Sequence, residues 1–333
     1  MAKNTSFLEI NKYYSDLNLV PNLVIDGNNL LCRNLFSDKN TVNKLHQHTG
    51  GYGGFIRSMI SMANPIKGIR FNEIHVTFDK GGSVKRRNLD KNYKANRNIS
   101  SVSSWITSDG IEIDQSSAFS RQQNLLMETF EELGISCYQL EFIEADDVIY
   151  YLSRKHPSVI ISEDTDFLQC INRYTSVYFP RKKQFITKNN FQEQTQYPFK
   201  PDQYSLLKSI VGDKGDNITG VRGIGWKKVL KILEECPDLS ADNLDSCSSK
   251  IVLDNLSLIE KNYKLIHLNL GMISTNAKKT IDAIYTFEPL KPNMRKFMKM
   301  CLAENVANIL TDMRFASMIS INHKNRKLNV QKG

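Results

Sequence analysis

The residues of this sequence whose types and spacing could do chemistry are acids. Asp26 follows the apolar run Asn-Leu-Val-Ile, Asp79 ends Ile-His-Val-Thr-Phe, Glu144, Asp146 and Asp147 crowd into four residues, and Asp164 and Asp166 stand just past Ser158-Val-Ile-Ile-Ser162. Each group alone has an ordinary explanation. Carboxylates in a first helical turn are favoured by the helix dipole, by roughly 0.3–1 kcal/mol each. Asp213-Lys-Gly-Asp216-Asn217 has the composition of a turn in which Asp and Asn cap backbone amides. Together, however, the acids at strand ends and neighbouring helix starts would meet in one cleft. Their uncompensated charge would cost several kcal/mol or force protons onto them. Hard oxygen donors without Cys or His point to Mg²⁺ or Mn²⁺. Two such ions about 3.5–4 Å apart activate a water and stabilise the leaving oxygen of a phosphodiester, so phosphoryl hydrolysis is the chemistry these acids suit.

The elements that must position them follow from the pattern. Residues 22–26, 73–79 and 158–162 read as buried strands, each delivering an acid at or beyond its carboxyl end. Helical patterns lie between them at about 53–63, at 119–133 ended by Gly134, and at 144–155 ended before Pro157. Alternating strand and helix predict an α/β fold with a mainly parallel central sheet flanked by helices. In such a sheet ligands bind at the carboxyl ends of the strands. Residues 80–118 break the rhythm with a basic stretch and a serine-rich piece at Ser100, Ser101, Ser103 and Ser104. A segment this long inside a compact domain is either functional or disordered. From about 201 the character turns to helices and glycine-rich turns. The expected division is an N-terminal extension over 1–20, an α/β core over 21–200 carrying the irregular segment at about 83–120, a helical lobe over 201–320, and a basic tail over 321–333.

Composition narrows the class. The 333 residues carry no stretch approaching the ~18–20 apolar residues of a membrane span. No basic region followed by an apolar run opens the chain, so a cytoplasmic protein is expected. Six cysteines without a CxxC pair predict reduced thiols rather than disulfides or structural zinc.

At this point the motifs are specific. IDGNN at 25–29, FDKGG at 78–82, YKANR at 93–97, EADD at 144–147, SEDTD at 162–166 and GDKGDNITGVRGIGWKK at 212–228, in this order, resemble the 5′ nuclease family of bacteriophage 5′–3′ exonucleases, flap endonucleases and the 5′ nuclease domain of bacterial DNA polymerase I. The resemblance implies a PIN-like metal-dependent nuclease core, a helical arch over the site and a helix–three-turn–helix element, with a helix–hairpin–helix at about 212–235 that grips duplex DNA. It implies Asp26, Asp79, Glu144, Asp146 and Asp147 as ligands of a first metal, and Asp164, Asp166, Asp213 and Asp216 as the set of a second. Asp26 and Asp146 then take part in catalysis together with Lys94 and Arg97, the cations at the base of the arch. Lys91 stands where the family commonly has a proline.

The same resemblance gives the basic residues a place. Lys85, Arg86, Arg87, Tyr93, Lys94 and Arg97 are expected to meet DNA from the arch side, with Tyr93 stacking on a base and the cations neutralising developing phosphate charge. Gly220, Arg222, Gly223, Gly225, Lys227 and Lys228 are expected to hold a duplex phosphate at the hairpin, with a K⁺ ion on its backbone carbonyls. Setting the nine acids aside leaves 26 acidic residues against 44 basic ones, so the chain attracts phosphate almost everywhere except at one point. The expected partners are DNA with a 5′ flap, nick or 5′ end, RNA–DNA hybrids, and proteins of replication; a stand-alone nuclease suits a phage. Two other readings compete. A haloacid-dehalogenase-like phosphatase would not use Asp26-Gly27-Asn28 on its first strand, and a non-catalytic DNA-binding module would not need the full acid set.

Overall fold

The structure, a computed structural model, describes residues 7–63, 71–96, 103–288 and 291–330, with side chains described from Glu9 to Ile321. After α1 (Phe7–Asp16), β1 (Asn22–Asp26) is buried along its length and runs directly into α2 (Gly27–Ser37). The junction requires a glycine, because a Cβ on Gly27 would stand 2.5 Å from both the Thr77 carbonyl and the Phe78 ring. Next come α3 (Gly50–Met62), β2 (Ile74–Lys80), α4 (Val84–Leu89), the hairpin of β3 (Ser104–Ile106) and β4 (Glu112–Asp114), and α5 (Gln115–Leu133), which Gly134 ends at φ 65°. The sheet is completed by β5 (Ser136–Glu141), then by β6 (Ser158–Ile161) after α6 (Ala145–Lys155), and by β7 (Thr175–Phe179) and β8 (Gln184–Ile186).

The strand order is β5-β2-β1-β6-β7-β8, with every pairing parallel except β7 with β8. The mainly parallel α/β architecture expected from the strand and helix alternation is therefore the one observed. The chain moves outward from β1 through β2 to β5, then returns through α6 to β6 on the other side of β1. That reversal opens a crevice at the carboxyl ends of β1 and β6, the usual ligand position in an open α/β sheet. Alternate residues serve two cores, as a pleat of period two demands. Leu23, Ile25, Ile74, Val76, Val159 and Ile161 face one, and Val24, Ile160 and Val177 face the other.

The second half is α7 (Phe191–Thr195), α8 (Tyr204–Val211), the two-residue strands β9 (Gly212–Asp213) and β10 (Ile218–Thr219), α9 (Trp226–Glu235), α10 (Lys250–Leu253), α11 (Leu256–Ile266), α12 (Thr275–Thr286), α13 (Met294–Ala303) and α14 (Met313–Val330). Its packing departs from the division drawn on the sequence. Helices α8, α9, α11 and α12 share one continuous core with Val24, Ile160 and Val177 of the sheet, so no boundary of packing lies at 201. Phe297, Cys301, Phe315 and Met318 of α13 and α14 instead cover the opposite face, against Tyr52, Phe55 and Met59 of α3 and Leu126 and Phe130 of α5. Glu304 fixes this cover through a 2.5 Å ion pair with Arg121, and Lys296 through a 2.7 Å contact with Glu132.

Two further expectations change. The 1–20 region is no loose extension where it is described: Ile10 and Tyr14 of α1 are in the core, and the Tyr14 hydroxyl donates to the Ser158 carbonyl at 2.7 Å. The described part of the expected helical arch holds one six-residue helix, α4, a turn over 91–96, the β3–β4 hairpin and the start of α5. Arg97, Ser100 and Ser101 lie outside the described residues. All six cysteines are free thiols, as expected.

Candidate active site

The crevice at the sheet's reversal point is a cleft of about 680 Å³ whose walls include Asp26, Asp79, Asp146, Asp164 and Asp216, with Lys94 beside them. Asp26 ends β1 and caps α2: its Oδ1 accepts from the Asn29 amide at 3.0 Å and its Oδ2 from the Ser162 hydroxyl at 2.7 Å. Asp79, near the end of β2, takes Asn28 Nδ2 at 2.5 Å and the amide of Ala145 at 2.6 Å, which ties it to the first turn of α6. Asp146 projects from that turn. Asp164 follows β6 and caps the next turn through the Asp166 amide at 2.8 Å.

The remaining four acids, and Asp216 with them, are held by cations. Arg86, only 1% exposed, places Nη1 2.7 Å from Glu144 and 2.6 Å from Asp147, and Nη2 2.8 Å from Asp147. Lys94 Nζ lies 2.8 Å from Glu144 and 3.6 Å from Asp216. Lys208 bridges Asp166 and Asp213, the latter at 2.6 Å. Among the described residues no three of the acids stand close enough together, as they are, to hold one cation between them.

Electrostatics show what this arrangement demands. Burial, with the carboxylates of Asp79 and Asp164 adding to it, pushes Asp26 up to about 7. Burial and Asp164 push Asp166 up to about 7 despite Lys208, and burial raises Asp146 well above the usual carboxylate range against the pull of Lys94. Glu144 goes the other way, since Lys94 and Arg86 outweigh its burial. Carboxylates forced toward neutrality in a shared cleft, with oxygen donors facing it, suit a hard divalent cation that would let them ionise. Asp26, Asp79, Asp146, Glu163, Asp164 and Asp216 supply the carboxylates that line it.

Several expected roles are corrected by these contacts. Asp147 is turned to Arg86 and away from the cleft, because the guanidinium fork matches its two oxygens. Arg86, expected on DNA, is an internal counter-ion. Tyr93, expected to stack on a base, is 6% exposed and donates to Glu144 at 3.1 Å. Lys85 and Arg87 lie at the surface, where they donate to the carbonyls of Gly271 and Gly81. Lys94 sits at φ 55° with its amide donating to the Asp216 carbonyl at 2.9 Å. A left-handed non-glycine residue costs free energy and is often found at functional positions.

At the hairpin, Arg222, Lys227 and Lys228 are exposed. Gly220 serves internal packing, since a Cβ there would lie 2.0 Å from the Val211 carbonyl. Gly223 has φ 75°, and its carbonyl accepts from Lys228 Nζ at 2.8 Å. Gly225 caps α9. Trp226 stacks on Tyr197 at 5.2 Å within a cluster that includes Phe199 and Tyr204, which makes it a packing residue. Lys208 went unread in the sequence, yet its signal was there: it is the one charge in the otherwise apolar or hydroxyl-bearing Tyr204–Val211 helix.

The Arg86 cluster yields a stability prediction. Arg86→Ala should cost roughly 3–5 kcal/mol, because it strands two buried carboxylates. Urea unfolding measures this, and a loss below about 1 kcal/mol would show that Glu144 and Asp147 do not depend on the guanidinium.

Residues 21–196 match the family described as the 5′–3′ exonuclease N-terminal resolvase-like domain. The chain belongs to that family. Among curated relatives of this exonuclease-family chain, the 5′–3′ exonuclease of Mycoplasma genitalium is 26% identical over 304 residues, covering 87% of this chain and 97% of the relative. That of Buchnera aphidicola is 27% identical over 73% of this chain and 82% of its own length. The thermostable DNA polymerase I of Thermus thermophilus is 26% identical over 83% of this chain, but the match spans 31% of the polymerase. This chain thus corresponds to about a third of the DNA polymerase I relatives. Among solved structures, T5 5′-exonuclease with bound zinc ions aligns with TM-score 0.60 at 21% identity over 84% of this chain and 99% of that one. T5 flap endonuclease with DNA and metal ions aligns with TM-score 0.59 at 20% identity over 91% of this chain and 100% of that one. At these identities the structures establish the shared fold.

Proposed function

We propose that this exonuclease-family chain is a structure-specific, divalent-metal-dependent 5′ nuclease. It would hydrolyse phosphodiester bonds near the 5′ end of flapped, branched or nicked DNA, as both 5′–3′ exonuclease and flap endonuclease, and remove RNA primers during replication. The observation that carries this reading is the convergence of six carboxylates, Asp26, Asp79, Asp146, Glu163, Asp164 and Asp216, in the cleft at the carboxyl ends of the sheet strands, with the Lys94 ammonium beside them. Mg²⁺, with Mn²⁺ able to replace it, would supply a lowered water pKa and stabilisation of the leaving oxygen, two ions serving the two sides of the phosphate. Asp26, Asp79, Asp146 and Asp164 would hold the ions, with Glu144, Asp147, Asp166, Asp213 and Asp216 acting through water or through the cations they pair with.

Lys94 faces the same cleft and would neutralise charge on the reacting phosphate. Arg97, by its place in the motif, would assist it. Arg222, Lys227 and Lys228 would hold duplex phosphates at a distance, the α9 amides adding to them. A K⁺ ion would be held by backbone carbonyls of the hairpin.

A 5′-flap DNA incubated with Mg²⁺ tests the reading, with cleavage expected near the junction and none after EDTA. Cleavage that persists in EDTA, or none with either metal, would overturn it. Binding should ignore base sequence, and log K should fall with log salt by about 0.9 per phosphate neutralised on duplex DNA. A slope near zero would mean the basic surface is not the DNA contact.

A further inference from the structure

At the far rim of the cleft the aromatic residues Phe36 and Trp105 meet. Asn29, Cys32, Arg33 and Phe36 line the cleft at intervals of three and four along α2, so one helix face carries the wall outward from Asp26. At 1.5 Å per residue Phe36 lies about 15 Å along the helix from Asp26, at most about four nucleotides of a strand that keeps the 3.4 Å duplex rise and fewer of an extended one. Phe36 is 41% exposed and lines the charged cleft. Trp105 of β3 stands against it, with ring centroids 6.3 Å apart and a 53° tilt. Lys39 Nζ lies 5.8 Å from the Phe36 ring and 6.0 Å from the Trp105 ring.

The platform is rigid. Trp105 Nε1 donates to the Lys39 carbonyl at 2.9 Å, and the His48 ring meets Trp105 edge-on at 5.2 Å. Beneath them Leu35, Ile113 and Ala118 form a small buried cluster against which Trp105 packs. The aromatic surface is therefore held before any ligand arrives, and the cation beside it suits a phosphate.

We propose that Phe36, backed by Trp105 and Lys39, stacks one unpaired base of the 5′ strand within about four nucleotides of the scissile phosphate. The inference rests on the nuclease reading and deepens it by placing a single-strand subsite. An exposed aromatic face with a neighbouring ammonium recognises a base and its phosphate without regard to sequence, since every base offers a π face. A paired base keeps both faces covered in the duplex, which favours the unpaired strand.

The test is a cycle between protein and DNA. Dissociation constants are measured in EDTA for 5′-flap substrates carrying one abasic site at each of the first four flap positions, with wild type, Phe36→Ala and Phe36→Tyr. At one position the abasic site should weaken wild-type binding by about 5- to 150-fold, the range for stacking one base. Phe36→Ala should bind the intact flap weaker by the same factor and respond less than twofold to that abasic site. Phe36→Tyr should restore both. If the abasic site costs the same in wild type and Phe36→Ala at all four positions, the subsite does not exist. A wild type that binds the flap but shows no Mg²⁺-dependent cleavage would instead remove the nuclease reading, whatever the abasic series gives.

Discussion

Asp26→Asn should reduce Mg²⁺-dependent cleavage of a 5′-flap DNA at least a thousandfold, leave duplex binding within a few-fold, and raise the melting temperature of the metal-free protein. The three effects share one cause. Asn is as good a helix cap as Asp, so the Asn29 amide keeps its acceptor and the β1–α2 junction stays in place. What disappears is a negative charge that metal needs and metal-free folding resists. With its carboxyl pushed up to about 7 from the ordinary 3.8, Asp26 binds a proton in the native state at pH values where the unfolded chain has released it. The metal-free wild type should therefore lose stability as pH rises from about 4 to 7, more shallowly once Asp26 is Asn. Melting curves at pH 5, 6 and 7 with EDTA read this directly, and Mg²⁺ should reverse the order of the two proteins by binding only the wild type well. Asp146→Asn should behave alike in cleavage. Wild-type cleavage by either variant would remove that acid from the site.

Lys94→Ala should cut the saturated single-turnover rate at least a hundredfold while changing affinity under tenfold, and Lys227→Ala should do the reverse. Lys94 is half-buried, its ammonium held between Glu144 at 2.8 Å and Asp216 at 3.6 Å and 5.0 Å from the Tyr93 ring. That places a fixed cation at the cleft wall, where charge develops in the transition state; losing one such contact typically costs ~3–4 kcal/mol, or about 10²–10³ in rate. Glu144 would keep Arg86 and Tyr93, so the fold should survive. Lys227, exposed on α9, makes an interaction alike in ground and transition states, and its loss should weaken binding only about tenfold. Rate and dissociation constant must be measured separately. A Lys94→Ala enzyme that cleaves normally once saturated would make Lys94 a docking charge only.

The difference between what the sequence reveals and what it conceals follows from how each residue acts. Asp26, Asp79, Asp146 and Asp164 were legible because apolar runs mark strands and the ends of strands must meet in a parallel sheet. Arg86 and Asp147 were misplaced for a related reason. Sequence records their charges but not the direction in which a six-residue helix aims a side chain, and a basic stretch reads as surface unless a buried acid is known to wait for it. Lys208 needed the opposite inference, from a single charge in an apolar helix to a buried partner. The helices α13 and α14 carried no motif because covering a core asks only for apolar residues at helical spacing, which any helix can supply.

That cover has a consequence for how the chain reaches its folded state. Tyr52, Phe55 and Met59 wait for Phe297, Phe315 and Met318, contacts that span most of the sequence. At a synthesis rate of about 5–20 residues per second, the interval between their appearances is on the order of 10–50 s. The nascent α3–α5 layer must therefore carry an uncovered apolar face through most of translation, and closing it late favours slow folding with a premium on protection from aggregation.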